Sequence, residues 1–282
     1  MAISSSDNRV AVVTGSSSGI GYETSMMLAR NGFLTYATMR NLNKGEYIKS
    51  NAGKENLPVR ITQLDVTDEL SINNAVQAIL SETGRLDVLV NNAGYVLEGA
   101  FEHLSMDELK GQYETNVFGL IRTTQAVLPI MRKQKSGTIV NISSVAGKFG
   151  YPGGSAYVST KFAVEGLSES MAYELEPFGI KVIIIEPGVI NTNIFSSVVV
   201  AKKSKDPNSP YTEITQKMAS AFEEMMKNAS SPEVVAKVVL EAITNDNPNL
   251  RYLAGKDAET WLDAKRNMTD EKFYKMMKQN LM

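Results

Sequence analysis

The sequence predicts an α/β fold in which a doubly wound parallel sheet of about seven strands carries helices on both faces. Three observations carry that expectation. Short apolar runs at residues 10–13, 33–38, 59–64, 86–90, 138–142, 181–185 and 250–253 alternate with longer helix-forming segments, the pattern of repeated βα units. The run at 181–185 is almost wholly apolar, as suits a strand buried on both faces of a parallel sheet. The residues with unusual chemistry stand directly behind these runs, at the carboxyl ends of strands, where open α/β sheets bind their ligands.

Composition narrows the class. The chain of 282 residues has no linker-like block, so a single domain spanning 1–282 is expected. Its apolar fraction of 43%, charged fraction of 21% and net charge of −2 are ordinary, and the charge is spread. No nucleic-acid footprint is present, and Lys202, Lys203 and Lys205 read as a solvated loop. With no cysteine and one histidine, disulfides, thiolate nucleophiles and Cys/His zinc sites are out of reach, and no metal centre is expected. His103 lies in a polar stretch before a helix and reads as a loop residue. Residues 1–9 are Ser-rich without an apolar leader core, and no apolar run approaches a membrane span. A cytoplasmic protein is the expectation.

In chain order, strand 10–13 ends in Thr14-Gly15-Ser16-Ser17-Ser18-Gly19-Ile20-Gly21, followed by an amphipathic helix to Asn31. Strand, glycine turn and helix make a phosphate cradle: Gly15 for the tight turn, Gly19 for close approach of backbone to a pyrophosphate, Gly21 for close packing of helix on strand, and the helix N-terminus for free N–H groups. The alternative is an ordinary glycine loop. The second strand ends in Ala37-Thr38-Met39-Arg40, with no acid for a ribose 2′-hydroxyl. Arg40 either forks onto a 2′-phosphate, which favours NADP(H) over NAD(H), or is a solvated loop charge. Asp65, after the third strand, either caps the helix of residues 69–82 or accepts a hydrogen bond from an adenine amino group.

Strand 86–90 is closed by Asn91-Asn92-Ala93-Gly94, whose small residues admit a flat ligand and whose amides suit tying strand ends together; the same composition also makes a plain turn. Residues 106–133 form a major helix with Asn116, a poor helix former, at its middle and Gly119 close behind, so an irregularity is expected there. Strand 138–142 ends in Ser143-Ser144. A Gly/Pro-rich loop leads from there to the helix bearing Tyr157 and Lys161, which are four residues apart and therefore on one face. Gly179 stops that helix. Residues 193–231 change to a polar loop and then a helix with Met218, Phe222, Met225 and Met226 on one stripe, either core packing or a mobile lid. Another helix runs from Pro232 to about Thr244. Residues 256–282 form a helical extension with the single Trp261, serving as oligomer contact or as substrate-side cover.

Taken together, Thr14-Gly-x-x-x-Gly-Ile-Gly21, Asp65-Val66, Asn91-Asn-Ala-Gly94, Asn116, Ser144, Tyr157-x-x-x-Lys161 and Pro187-Gly188 with Thr192 resemble the classical short-chain dehydrogenase/reductase family, in register over about residues 10–192. The resemblance implies a Rossmann-type domain whose part 9–192 is cofactor-binding and catalytic, and an NADP(H)-dependent enzyme interconverting a carbonyl and an alcohol. It implies that Tyr157 exchanges the proton, and that Lys161 lowers the phenol's pKa and grips the nicotinamide ribose. Ser144, chosen over Ser143 by the family's spacing, holds the substrate oxygen, and Asn116 anchors a water linking Lys161 to solvent. Thr192 orients the carboxamide. Gly15, Ser17, Ser18, Gly19, Ile20, Gly21, Arg40, Asp65, Val66, Asn92, Ala93, Gly94, Pro187, Gly188 and Val189 contact the cofactor.

The stretch 35–40 and residues 157–177 look like the branch that includes hydroxysteroid and retinol-type dehydrogenases and carbonyl reductases. Tyr95, Phe149, Tyr151, Val189 and the Met-rich segment are the expected lining for a small carbonyl or an apolar steroid-, retinoid- or fatty-type substrate. The family's habit of pairing through its two long central helices implies a homodimer or homotetramer. A nucleotide-binding sensor without turnover is the competing reading, and the intact Asn116, Ser144, Tyr157, Lys161 set counts against it.

Overall fold

A computed structural model describes residues 9–192 and 198–282. The Ser-rich stretch before Arg9 and the first residues of the 193–231 segment lie outside the described residues.

In order, the chain forms β1 (Val10–Val13), α1 (Gly19–Arg30), β2 (Leu34–Met39), α2 (Glu46–Lys54), β3 (Val59–Gln63), α3 (Glu69–Thr83), β4 (Val88–Asn91) and a short β5 (Leu97–Glu98). It continues with α4 (Met106–Tyr113), a π-helical turn (Glu114–Phe118), α5 (Gly119–Gln134), β6 (Gly137–Ile142), α6 (Ser155–Leu175) and β7 (Ile180–Pro187). A short β8 (Val199–Val200), α7 (Thr212–Lys227), α8 (Pro232–Thr244), β9 (Arg251–Ala254), α9 (Lys256–Asn267) and α10 (Asp270–Leu281) follow. Seven strands make one sheet in the order β3-β2-β1-β4-β6-β7-β9, and every neighbouring pair is parallel. The expected doubly wound sheet is present.

Alternation within each strand builds two cores. Ala11, Val13, Val88, Val90 and Ile183 face α1 and α8, meeting Leu28, Val235 and Val239. Val10, Val12, Leu89 and Ile139 face α3 and α5, meeting Ile72, Val76, Val127 and Met131. With both faces covered, the strands are apolar throughout, the pattern that marks them in the sequence. Because β2 lies on one side of β1 and β4 on the other, the loops leaving β1 and β4 diverge and leave a crevice between them.

The segment 106–133 is two helices joined through the π-turn, so the irregularity expected around Asn116 is real. The β5–β8 pair was not foreseen, because two residues carry no readable alternation. No helix among the described residues is long and apolar enough to cross a membrane, and those residues contain no group of three or more potential metal ligands.

Candidate active site

The glycine turn is held by its neighbours. Thr14 Oγ1 accepts the backbone N–H groups of Asn92 and Ala93, both at 3.0 Å, and Asn92 Nδ2 donates to the carbonyls of Thr14 at 2.9 Å and Gly15 at 3.2 Å. Gly15 and Gly19 have φ of 69° and 58°, where a side chain is strained. At Gly21 a Cβ would lie 2.4 Å from Gly15 O and 2.5 Å from Asn92 Nδ2, so this glycine packs the helix onto the turn itself rather than onto the strand. The first turn of α1 has no acidic residue, and Ser18 at its N-cap makes no capping bond. Open N–H groups, a positive helix end and backbone that no Cβ obstructs fit a pyrophosphate.

Arg40 is exposed just past β2, and its guanidinium makes no bond among the described residues. Asp65 does not cap α3. Asp68 does, accepting from Leu70 N at 2.9 Å and Ser71 N at 3.2 Å, while Asp65 Oδ1 folds onto Thr67 N and Oγ1. The capping alternative for Asp65 is thus corrected: the cap belongs three residues later, where the helix begins. Val66 is buried against Gly119, where a Cβ would come within 2.7 Å of Val66 Cγ2.

Beyond the turn, a buried polar chain ties the middle of the molecule together. Asn91 Nδ2 donates to Thr124 Oγ1 and Asn141 Oδ1, both at 2.9 Å, and Asn141 Nδ2 donates to Ser168 Oγ at 2.8 Å, linking α5, β4, β6 and α6. In the π-turn, Asn116 clamps both backbone groups of one residue: its Oδ1 accepts from Tyr95 N at 3.0 Å, and its Nδ2 donates to Tyr95 O at 2.9 Å and lies 3.2 Å from Thr160 Oγ1. Its side chain therefore fixes the loop after β4 against α6.

The first turns of α6 carry Tyr157 and Lys161 beside the end of β6. The phenol hydrogen-bonds with Ser144, which opposes a larger effect of burial; the net is a pKa pushed up to about 12. Ser143 Oγ is buried and without a partner among the described residues, whereas Ser144 is the serine that touches the phenol. Lys161 Nζ donates to Ile142 O at 2.7 Å and sits 5.5 Å from the Tyr157 ring centroid. Burial pulls its pKa down to about 8, against the raising effect of Glu165 one turn on. In the protein's own field burial outweighs the lowering contact from Ser144; the lowering by Lys161 is expected jointly with the positive ring of an oxidised cofactor.

Behind this pair lies a charge network without a signal in the sequence. Glu165 and Glu186, both buried, share two cations: Lys148 Nζ at 2.7 and 3.2 Å, and Arg251 Nε at 3.0 and 3.4 Å. Arg251 also reaches Glu169 at 2.6 Å. The four central partners come from the loop after β6, α6, β7 and β9, so only the fold assembles them. Burial and the nearby Glu165 keep the Glu186 carboxyl above its usual range.

Ser144, Tyr157 and Lys161 open onto a cavity of about 500 Å³, which Ile20, Asn92, Gly94, Pro187, Gly188, Val189 and Thr192 also line. Gly15, Ser17, Ser18, Gly19, Gly21, Arg40, Asp65, Val66, Ala93 and Asn116 lie outside its wall. The expected Tyr95, Phe149 and Tyr151 line it, joined by Met218, Phe222 and Met225 of α7 and by Trp261, Met277 and Leu281 of α9 and α10. No residue of α7 is fully buried; Met218 and Met225 line the cavity and also pack against the cluster of Phe149, Leu262, Phe273, Met277 and Leu281, so the stripe both faces the cavity and joins a core. Asp257, absent from the sequence reading, accepts from Val189 N and fixes the loop after β7. His103 is a loop residue as expected, near Ser204 at 3.1 Å and Ser209 at 3.3 Å.

A family model for short chain dehydrogenases matches residues 9–203. A Bacillus subtilis protein named as the uncharacterized oxidoreductase YusZ is 40% identical over 89% of this chain and 90% of its own. A 3-ketodihydrosphingosine reductase of Bacteroides thetaiotaomicron is 36% identical over 88% of each chain. A short-chain dehydrogenase structure from Streptomyces avermitilis superposes with a TM-score of 0.79 at 35% identity, covering 92% of this chain and 94% of that one. An actinorhodin polyketide ketoreductase structure with NADPH gives 0.77 at 28% identity, covering 91% and 97%. With the glycine cradle, the switch-point crevice and the matching length in hand, the chain belongs to the short-chain dehydrogenase family and is an NAD(P)-dependent oxidoreductase.

Proposed function

We propose that the protein is an NADP(H)-dependent enzyme that interconverts a ketone or aldehyde with the corresponding alcohol on an apolar substrate, with Tyr157 as the acid/base. The observation that carries this reading is Ser144, Tyr157 and Lys161 converging on one end of the apolar cavity. The glycine turn and the α1 N-terminus take the pyrophosphate, and Arg40 the 2′-phosphate; Asp65 and Val66 border the adenine. When bound, the cofactor supplies or accepts the hydride and, oxidised, brings a positive ring charge.

The chain's own groups handle the rest. Held near 12, the Tyr157 phenol keeps its proton at neutral pH and donates it to the substrate oxygen in the reducing direction. Ser144 donates to or accepts from that same oxygen and fixes its distance from the phenol. Lys161 stays mostly protonated at neutral pH and offsets negative charge arising on Tyr157. Asn116 holds the backbone of Tyr95, a residue of the cavity wall. The lining of Phe149, Met218, Phe222 and Trp261 favours an apolar body, and the family relationship favours assembly through α5 and α6.

A carbonyl panel with NADPH or NADH consumption as readout tests the reading. Turnover with NADPH, tighter binding of NADPH than NADH, and a loss of kcat on the order of 10²- to 10⁴-fold in Tyr157→Phe with cofactor binding kept are expected. Undiminished turnover in that variant excludes the assigned acid/base, and tighter NADH binding excludes the cofactor preference.

A further inference from the structure

One group in the cavity wall has no part in the chemistry above. Glu98 ends β5, where strand alternation turns Leu97 into a buried cluster with Ala156 and Ala201 and leaves Glu98 on the cavity side. Among the described residues its carboxyl makes no hydrogen bond and no ion pair. The wall around it is built from Val96, Ala100, Tyr151, Val200 and Ile214. Burial alone holds this carboxyl above the ordinary glutamate range.

An unpaired carboxylate against apolar surface is costly, and the more deeply buried carboxylates among the described residues are paired. Asp87 pairs with Arg85 and the Val10 N–H, Asp257 takes the Val189 N–H, and Glu165 and Glu186 share two cations. Glu98 departs from that habit at the surface a substrate must touch. Tyr151 stands beside it in the wall, its phenol also without a partner among the described residues. That phenol lies within electrostatic reach of both Glu98 and Tyr157, so it links the carboxyl to the reacting end along the cavity wall. The described lining holds one cation, Lys161, whose Nζ is already engaged by Ile142 O.

We propose that Glu98 is a specificity residue that receives a protonated amine, so that the favoured substrates are apolar ketones or secondary alcohols carrying a basic amine. The inference rests on the carbonyl/alcohol reading of the site. The ammonium supplies the counter-charge that the wall lacks, and Tyr151 offers its hydroxyl alongside as a second acceptor.

The test pairs alkyl ketones bearing a primary amine at increasing distance from the carbonyl with matched ketones in which a methyl group replaces the amine. For the wild-type protein, kcat/KM is expected to favour the best amino ketone by tenfold or more, through KM, and in Glu98→Gln that ratio is expected to collapse toward one. A wild-type ratio near one, or a ratio that survives the substitution, overturns the proposal. Should neither ketone turn over, the carbonyl reading fails, and the role of Glu98 is then decided by calorimetry with an alkylamine and the alkanol of equal length. Tighter amine binding of about tenfold in the wild type and not in Glu98→Gln supports it. Equal binding in both proteins overturns it.

Discussion

At the scale of single residues, two buried groups with opposite displacements decide the proton chemistry. Tyr157 is pushed up and Lys161 pulled down by the same loss of water, so each is held in its neutral form more strongly than in solution. For Lys161 this has a consequence for stability. Below about pH 8 folded and unfolded chains both carry the charge, and the folded one bears its burial cost, roughly 3 kcal/mol. Between about 8 and 10.5 only the unfolded chain keeps the proton, so stability rises with pH. Relative to Lys161→Met, the wild type is therefore expected to gain about 2 kcal/mol between about pH 7 and about pH 9.5. Urea titrations of the two proteins at both pH values check this; a difference that stays constant or runs the other way contradicts the burial account. At this scale the sequence was informative about identity and poor about environment. Four-residue spacing put Tyr157 and Lys161 on one face, but the direction of the phenol's displacement depends on burial, which spacing does not report.

At the scale of elements, the network of Lys148, Glu165, Glu186 and Arg251 staples β9 and α6 to the end of β7. Removing one cation leaves two buried carboxylates with a single partner. Arg251→Met is expected to cost about 3 kcal/mol, read as a lower urea midpoint at unchanged slope. The deficit is expected to shrink toward about pH 5, because the exposed repulsion between Glu165 and Glu186 is relieved when one takes up a proton. A deficit independent of pH would assign the loss to packing of the arginine stem instead. The seven strands of the sheet were legible, since covering both faces made the runs apolar, and so were the glycine turn and the irregularity at Asn116; the order of the strands was not read from the sequence. The network was not, because its members lie in four segments and each alone reads as a solvated charge. Glu98 stayed hidden for a related reason: in Leu97-Glu98-Gly99 an acid opposite an apolar residue reads as a solvent face, and only α7 and the C-terminal helices turn that face into a cavity wall.

Over the whole molecule, the cavity wall draws on both the sheet's loops and the helices that follow it. Large apolar side chains stay exposed on the central helices, Phe118 at 45% where α5 begins, and Phe162 at 47% and Tyr173 at 72% on α6. Light scattering is expected to give a dimer or tetramer, and Phe162→Glu to shift it toward monomer; a monomeric wild type contradicts assembly through these helices. The Met stripe read as core packing or a lid, and the segment with Trp261 as oligomer contact or substrate-side cover, because the same apolar residues serve each; in the structure Met218, Met225 and Trp261 line the cavity and pack against Phe149, Leu262 and Phe273 as well. The cavity's roof has one more consequence. Its apolar covering comes from α7, α9 and α10, none of which supplies a strand to the sheet or a residue to the Ser144, Tyr157 and Lys161 set. Exchanging those three helices for their counterparts in a relative, with Asp257 kept to hold the loop after β7, is thus a modular route by which one reaction engine can be refitted for a new molecule while its proton-handling parts stay in place.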